Sequence, residues 1–267
     1  MKLPSKDKLT NQEMHYLYQC DLKEFFSSKT WPNYLYMTRF RHIVDFIHKH
    51  ITQGGRIVDI GCAQGNYTIS LGQQGYEVIG VDVRPNFLKY AVLKLEDIEK
   101  KKVHFCAGDA KNLPFCSELF DCALLLETIE HISEPEKVLL EAKRVLKEDG
   151  FLVFSTVNRN RIKAKSMSLN GFRQKQNRGD VRATTDTARG DEHLFELTEK
   201  ECINLLSSYG FSILNSSIEV FEGMYFAMPI LKFLPYASIE RLGQLLLSRE
   251  LLRDKFGFNI IIFAQKG

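Results

Sequence analysis

Two hydrophobic periods alternate along this chain. Short, nearly continuous apolar runs rich in β-branched residues read as strands buried on both faces: Ile57–Ile60, Val78–Asp82, Val103–Ala107, Cys122–Leu126 and Phe151–Val157. Between them apolar residues recur at helical spacing. Phe40, Ile43, Val44 and Ile47 mark an amphipathic helix over Tyr36–His50. Tyr67–Leu71 opens a second helix, and Pro85 a third, with Leu88, Val92, Leu95 and Ile98 on one face and Lys100–Lys102 against its C-terminal dipole. Ser133 with Glu136, and Thr198 with Glu201, read as capping boxes for helices ending near Lys147 and Gly210. Asp149-Gly150 makes the turn into the fifth strand, and Phe211–Val220 and Phe258–Ala264 supply the last two. Strands alternating with helices predict an α/β fold, a doubly wound, mostly parallel seven-stranded sheet with helices on both faces.

Three stretches fall outside that pattern. Residues 1–35 are polar with scattered aromatics and read as an N-terminal arm of one single domain. Residues 158–192 show little apolar periodicity and read as a lid-like insertion after the fifth strand, at the sheet edge where ligands bind in open α/β folds. Residues 222–257 read as a helical, apolar-basic insertion before the last strand.

The strand Ile57–Ile60 runs into Gly61-Cys62-Ala63-Gln64-Gly65-Asn66 and then into a helix. Small residues there let the backbone approach a ligand, and the helix N-terminus adds free N–H donors. The next strand ends in Asp82, an acid suited to the two hydroxyls of a ribose. A nicotinamide or flavin site wants G-x-G-x-x-G; this loop lacks that spacing and instead carries Asp59 two positions before its first glycine.

Asp59, the loop and Asp82 in register resemble motif I of the class I S-adenosylmethionine (SAM)-dependent methyltransferases, D-x-G-x-G-x-G, with Ala63 at the middle glycine. Gly108-Asp109-Ala110, with Leu113-Pro114-Phe115 and Phe120-Asp121, resembles the adenine-contacting motif of the ubiquinone/menaquinone-type small-molecule methyltransferases, the methyltransferase type 11 group. Leu146–Leu152 resembles their turn into the fifth strand, without its usual proline, and the similarity runs from about Tyr36 to Phe211. The resemblance implies the family's Rossmann-like sheet, with the last strand, Phe258–Ala264, antiparallel. It also implies SAM as cofactor and S-adenosylhomocysteine as product. Asp59, Gly61, Gln64 and Gly65 then surround the methionine moiety, Asp82 holds the ribose, and Val83, Asp109 and Ala110 bracket the adenine. Arg41, one helix upstream, matches an arginine that some quinone O-methyltransferases place on the cofactor carboxylate.

Methyl transfer from a sulfonium asks for positioning, exclusion of water and removal of a proton from the acceptor. Glu127-Thr128-Ile129-Glu130-His131 follows the fourth strand at the crevice edge, and in a helical turn Glu127, Glu130 and His131 share a face. The pattern E-x-x-E-H resembles a divalent-metal site in quinone-biosynthesis O-methyltransferases. In plant alkaloid N-methyltransferases it resembles a carboxylate and imidazole that deprotonate an amine. Glu, Glu and His suit Mg²⁺, Mn²⁺ or Zn²⁺ as well as acid–base work. His193, where the lid rejoins the core, is a further candidate catalytic residue. The expected reaction is transfer to a hydroxyl oxygen of a small molecule. The alternatives are N-methylation of a small amine and a non-catalytic SAM-binding regulatory or assembly protein.

Composition narrows partners rather than fold. With 44% hydrophobic and 26% charged residues and a net charge of +3, the 267-residue chain reads as an ordinary globular protein without a nucleic-acid-binding surface. It also lacks the N-P-P-Y type motif of nucleic-acid amino-methyltransferases. Six cysteines form no C-x-x-C pair, and Cys62, Cys106 and Cys122 fall in or beside strands as small apolar residues of a reducing, cytoplasmic compartment. Residues 1–10 carry no signal-peptide core and no apolar run reaches membrane-spanning length. Positive charge gathers in one place. Arg159, Arg161, Lys163, Lys165, Arg173, Lys175, Arg178 and Arg182 face a single acid, Asp180, which points to an anionic acceptor. The oligomeric state leaves no trace in the sequence.

Overall fold

The computed structural model describes residues 31–95, 102–161, 167–177, 193–219, 253–255 and 257–267. The helices are α1 (Trp31–His50), α2 (Asn66–Gln73), α3 (Pro85–Leu95), α4 (Pro135–Val145), α5 (Leu169–Asn177) and α6 (Glu199–Ser208). The strands are β1 (Arg56–Ile60), β2 (Glu77–Asp82), β3 (Val103–Ala107), β4 (Phe120–Leu126), β5 (Leu146–Val157), β6 (Phe211–Glu219) and β7 (Asn259–Lys266). They form one seven-stranded sheet in the order β3-β2-β1-β4-β5-β7-β6. β1 pairs in parallel with β2 and β4, and β2 with β3. The Asn158 N–H at the end of β5 meets Phe258 at the start of β7, while Gln265 and Lys266 reach back to Asp149 and Leu146. The last strand therefore runs antiparallel to β5, as the family resemblance implies.

The chain groups into two compact units. The first comprises Met1–Leu126, Glu136–Val153 and Gln265–Gly267; the second comprises Glu127–Pro135 and Phe154–Ala264. The centre of the first is β1 and β4, where Ile57, Val58, Ile60, Ala123, Leu124 and Leu125 are all fully buried. Burial on both faces explains why these strands read as unbroken apolar runs. In the second, Phe172 of α5 packs on Phe195 at 5.4 Å between ring centroids.

Several local expectations need correction. Helix α1 begins at Trp31, five residues before the predicted Tyr36. Strand β5 begins at Leu146, with Asp149 left-handed (φ 59°) at the predicted turn. Val92 does not face the core: the buried arc of α3 is Leu88, Tyr90, Ala91, Lys94 and Leu95, centred on Ala91, which leaves Val92 47% exposed. Helix α5 lies inside the stretch expected to lack periodicity; Leu169 and Phe172, one turn apart, are its buried pair. Of the described cysteines, all free, Cys62, Cys122 and Cys202 are buried, but Cys106 is half-buried and Cys116 exposed. The capping box at Thr198 and Glu201 forms as read. The 222–257 insertion and the 1–35 arm lie almost wholly outside the described residues. Among the described residues, no helix is long and apolar enough to cross a membrane.

Candidate active site

The first unit builds a cradle at the carboxyl ends of β1 and β2. The Gly61 and Cys62 N–H groups both donate to the Val81 carbonyl, at 2.8 and 3.0 Å, which pins the loop to the neighbouring strand. Gly61 and Gly65 adopt left-handed φ values of 77° and 73°, conformations that favour glycine. Ala63 is also left-handed, at φ 46°, and its N–H donates to Asp82 Oδ2 at 2.9 Å. A Cβ on Gly65 would meet the Phe105 ring at 2.5 Å, and one on Gly80 would meet Phe105 and Cys62 Sγ at 2.8 Å. The loop is therefore held open towards the sheet edge by packing from below.

Both acids of the cradle are buried, Asp59 at 3% and Asp82 at 4% exposure. Asp59 accepts the Thr68 hydroxyl at 2.6 Å; burial raises its carboxyl to about 6, Asp82 adds repulsion, and the Thr68 hydrogen bonds oppose both. Asp82 Oδ1 accepts the Arg84 N–H at 2.9 Å and Nε at 3.2 Å. A carboxylate offers about four acceptor sites, so with the Ala63 N–H and both Arg84 donors in place Asp82 retains one, on Oδ2, for a hydroxyl. Val83 beside it is 68% exposed, an apolar platform at the strand end. The Gly108 N–H donates to the Asp82 carbonyl at 3.2 Å and brings the Asp109–Ala110 turn alongside. Asp109 itself is exposed and ties back to the Lys111 N–H at 2.9 Å. Gln64 is buried within the loop. Arg41 is exposed on α1, whereas Arg39 is 5% exposed and donates Nε to the Tyr67 hydroxyl at 3.2 Å on the helix that follows the loop. Arg39, not Arg41, is the arginine of α1 buried beside that helix.

The second unit gathers the remaining candidates. Glu127, directly after β4, is left-handed (φ 49°); its N–H donates to the Ser155 carbonyl at 2.9 Å, and its Oε1 accepts from Asn259 of β7. The turn Ile129–His131 is a 3-10 helix. Glu130 is fully buried, and neither of its carboxylate oxygens closes a hydrogen bond of ordinary geometry among the described residues, the nearby Thr156 hydroxyl included. Burial raises its carboxyl to about 7, with repulsion from Glu127 adding to the effect and His193 opposing it. The Leu194 N–H donates to the Glu130 carbonyl at 2.9 Å and draws His193 in, so that the His131 and His193 rings meet edge-to-face at 5.0 Å. Donor atoms of Glu130, His131 and His193 lie within 4.8 Å of one another. The set within metal-ligand reach thus contains His193 in place of the predicted Glu127, whose carboxylate is engaged by Asn259.

Two more residues complete this cluster: Glu196, which sequence reasoning passed over, and Arg161, which it read only as part of the basic segment. His193 Nδ1 lies 3.0 Å from Glu196 Oε1, and Arg161 grips the same carboxylate through two nitrogens, at 2.6 and 2.9 Å. Burial alone would lower the His193 pKa; the hydrogen bond to Glu196 and the charges of Glu130, Glu196 and Glu127 outweigh it and raise it. Glu196 is lowered to about 2, because His193 and Arg161 outweigh the burial that would raise it. The spacing H-x-x-E, from His193 to Glu196, is the only local trace of the arrangement.

The basic segment is less uncompensated than its composition suggests. Arg159 pairs with Glu201 at 2.8 Å, and Arg161 with Glu196, acids that lie beyond the segment. Arg173 and Lys175 are exposed on α5, and Lys163, Lys165, Arg178 and Arg182 fall outside the described residues.

The family described as a methyltransferase domain matches residues 58–154. A ubiquinone biosynthesis O-methyltransferase of Cereibacter sphaeroides is 33% identical over 108 residues, 40% of this chain and 43% of that protein, so the chain spans less than half of this relative's length. Among solved structures, a SAM-dependent methyltransferase of Methanosarcina mazei superposes with a TM-score of 0.52 at 20% identity, over 83% of this chain and 96% of that one. The phosphoethanolamine N-methyltransferase 2 of Haemonchus contortus reaches a TM-score of 0.60 at 16% identity, over 98% of this chain and 58% of that one. At such identities the superpositions speak for the fold alone. The family match over residues 58–154 spans the glycine loop and its buried acid pair, so this part of the chain is similar to methyltransferase domains, and the strand order is the one that resemblance implies.

Proposed function

We propose that the protein transfers the methyl group of SAM to a hydroxyl oxygen of a small molecule, releasing S-adenosylhomocysteine. The observation that carries this reading is the buried Glu130, its oxygens without ordinary hydrogen bonds, beside two imidazoles. A hydroxyl donor satisfies such a carboxylate, and an imidazole takes the proton. The O-methyltransferase name of the C. sphaeroides relative favours oxygen over nitrogen.

The cradle fits the cofactor. Asp59 and Arg39 suit the amine and carboxylate of the methionine end, Gly61, Gln64 and Gly65 its chain, Asp82 the ribose, and Val83, Asp109 and Ala110 the adenine. In the transfer, the acceptor oxygen attacks the methyl carbon, the carbon–sulfur bond breaks, and the hydroxyl proton passes to His193 Nε2. His131 and Glu130 orient the acceptor. The donor set of Glu130, His131 and His193 equally suits a divalent cation, which would supply Lewis-acid polarisation of the acceptor oxygen. Free cysteines at every described position suit the cytoplasm. Exposed Arg173 and Lys175 favour an anionic acceptor.

The test is a panel of phenols, hydroxy acids and small amines, with and without EDTA, read as S-adenosylhomocysteine release. Turnover on a hydroxyl compound that Glu130→Gln abolishes supports the reading. Turnover on amines alone gives N-methylation, and SAM binding without turnover on any acceptor gives a binding protein. Loss of turnover in EDTA, restored by Mg²⁺, Mn²⁺ or Zn²⁺, selects the metal form.

A further inference from the structure

Glu196 is the most heavily engaged carboxylate of the second unit. It is 1% exposed, and its two oxygens receive Arg161 Nη1 at 2.6 Å, Arg161 Nη2 at 2.9 Å and the ring edge of His193 at 3.0 Å. A guanidinium presents its donors in a rigid plane, so a two-point grip fixes the plane of the carboxylate as well as its position. Arg161 is fixed in turn. Its Nη1 also donates to the Asn158 carbonyl at 2.8 Å, and its guanidinium carbon lies 5.1 Å from the Phe258 ring centroid. Asn158 is fully buried and anchored through its own side chain to the Asp254 and Gly257 carbonyls at 2.8 and 3.0 Å. The backbone under Glu196 is tied as well, its N–H donating to the Met167 carbonyl at 2.9 Å. The acid facing His193 can neither swing away nor rotate.

A carboxylate only accepts, so the ring nitrogen that faces it carries hydrogen. A neutral imidazole has a single N–H. Hydrogen on Nδ1 leaves Nε2 with the lone pair, the reverse of the tautomer that free histidine favours in water. We propose that Arg161 and Glu196 are positioning residues that hold His193 in its Nδ1–H tautomer and so make Nε2 the basic atom offered to the acceptor. The catalytic consequence rests on the proton-accepting role proposed above; the tautomer does not, and it can be measured without any acceptor.

The experiment is a long-range ¹H–¹⁵N correlation on the full chain labelled with ¹⁵N-histidine, at alkaline pH where the ring is neutral. The His193 signals are identified among the seven histidines by their loss in His193→Asn. In the wild type, Nδ1 should resonate as the protonated nitrogen and Nε2 as the bare one. In Glu196→Gln the amide oxygen turns to Arg161 and the amide N–H turns to the ring, so the pattern should invert; Arg161→Met should weaken the preference. Where an acceptor is in hand, Glu196→Gln should lower kcat about 10- to 100-fold, the usual effect of removing a residue that orients a working histidine, with the acceptor KM and SAM affinity nearly constant. A wild-type ring protonated on Nε2, or one pattern shared by the wild type and both variants, overturns the proposal. The wild-type reading needs only the His193→Asn assignment, so misfolding of Glu196→Gln leaves the test in force. A correct tautomer in a protein without turnover would instead count against the methyl-transfer reading.

Discussion

The two carboxylate sites differ in how they are assembled. The cradle around Asp59 draws its hydrogen-bonding partners from a short run of chain: Thr68, Ala63, Val81, Asp82 and Arg84. The cluster around Glu130 draws on Ser155, Arg161, His193, Glu196 and Asn259, the last of them 132 positions from Glu127. A site built from sequence neighbours persists while loops elsewhere change, which suits a cofactor shared by many enzymes. A site built from distant segments changes whenever any of them does, which suits an acceptor peculiar to one enzyme. Both acids are raised mainly by burial, Asp59 to about 6 and Glu130 to about 7. Asp59 has the Thr68 hydroxyl at 2.6 Å to offset that cost, whereas Glu130 remains raised despite the nearby Thr156 hydroxyl.

The largest expected effect falls on the local site alone. Asp82→Ala should weaken SAM binding by about 2–3 kcal/mol, the scale of a hydrogen bond to a charged group lost at the ribose together with the loop N–H groups that Asp82 holds. Calorimetry on the folded variant reads this, and unchanged affinity would remove Asp82 from the ribose. The His193 spectrum should be unaffected.

Next come two substitutions of opposite sign within the distant cluster. Glu196 is held at about 2 against its ordinary 4.5, so the stability it contributes is full above pH 4.5 and is lost as pH falls towards 2. Glu196→Gln should therefore destabilise the fold at neutral pH, on the order of 2 kcal/mol. Glu130, raised from 4.5 to about 7, contributes stability that is full below pH 4.5 and lost as pH rises through 7. Glu130→Gln should accordingly stabilise at pH 8 by about 2 kcal/mol, with the gain shrinking towards pH 5, even as activity falls. Urea unfolding at the two pH values decides the matter. Shifts of the same sign would mean that the two acids do not differ as their surroundings indicate.

A smaller effect concerns the cradle's own titration. If the Asp59 carboxylate meets the cofactor amine, SAM affinity should fall about tenfold per pH unit below 6, or about 1.4 kcal/mol. Thr68→Val removes the offsetting hydroxyl and should move that break to higher pH. A flat profile from pH 5 to 7 would detach Asp59 from the amine. The smallest effect is electrostatic steering by α5. Reversing Arg173 and Lys175 to Glu should raise the KM of an anionic acceptor a few-fold and leave SAM affinity unchanged, about 0.5–1 kcal/mol at a solvent-exposed site. An unchanged KM would reduce these two residues to ordinary surface charges.

What the sequence disclosed follows the same division. Strands β1 to β3, the glycine loop and the acid at the end of β2 were legible because each is set by its immediate neighbours. Arg39 was passed over for Arg41, although the helical line separates the two. Arg39 lies on the same helical line as Ile43 and Ile47, four residues apart, and so turns inward, whereas Arg41 shares the exposed line of Asp45. Helix α5 was missed because its two buried residues gain their meaning only against Phe195. The grip of Arg161 on Glu196 spans 35 positions, and no local period announces it. The excess of positive charge in residues 159–182 was overstated for a related reason, since the acids that answer Arg159 and Arg161 stand outside that window.

The Phe105 ring beneath the cradle also bears on how this sequence can change over generations. It blocks a side chain at both Gly65 and Gly80, two positions on different elements. At Gly80 the obstruction is made only of side chains, Phe105 and Cys62, so alanine becomes admissible once those two have shrunk. At Gly65 the left-handed backbone remains after the ring is gone. Substitutions here therefore have a required order: positions 105 and 62 first, position 80 afterwards, position 65 last if at all. A lineage that keeps the phenylalanine keeps both glycines, and ancestral reconstruction should find no intermediate that replaced either glycine ahead of the ring.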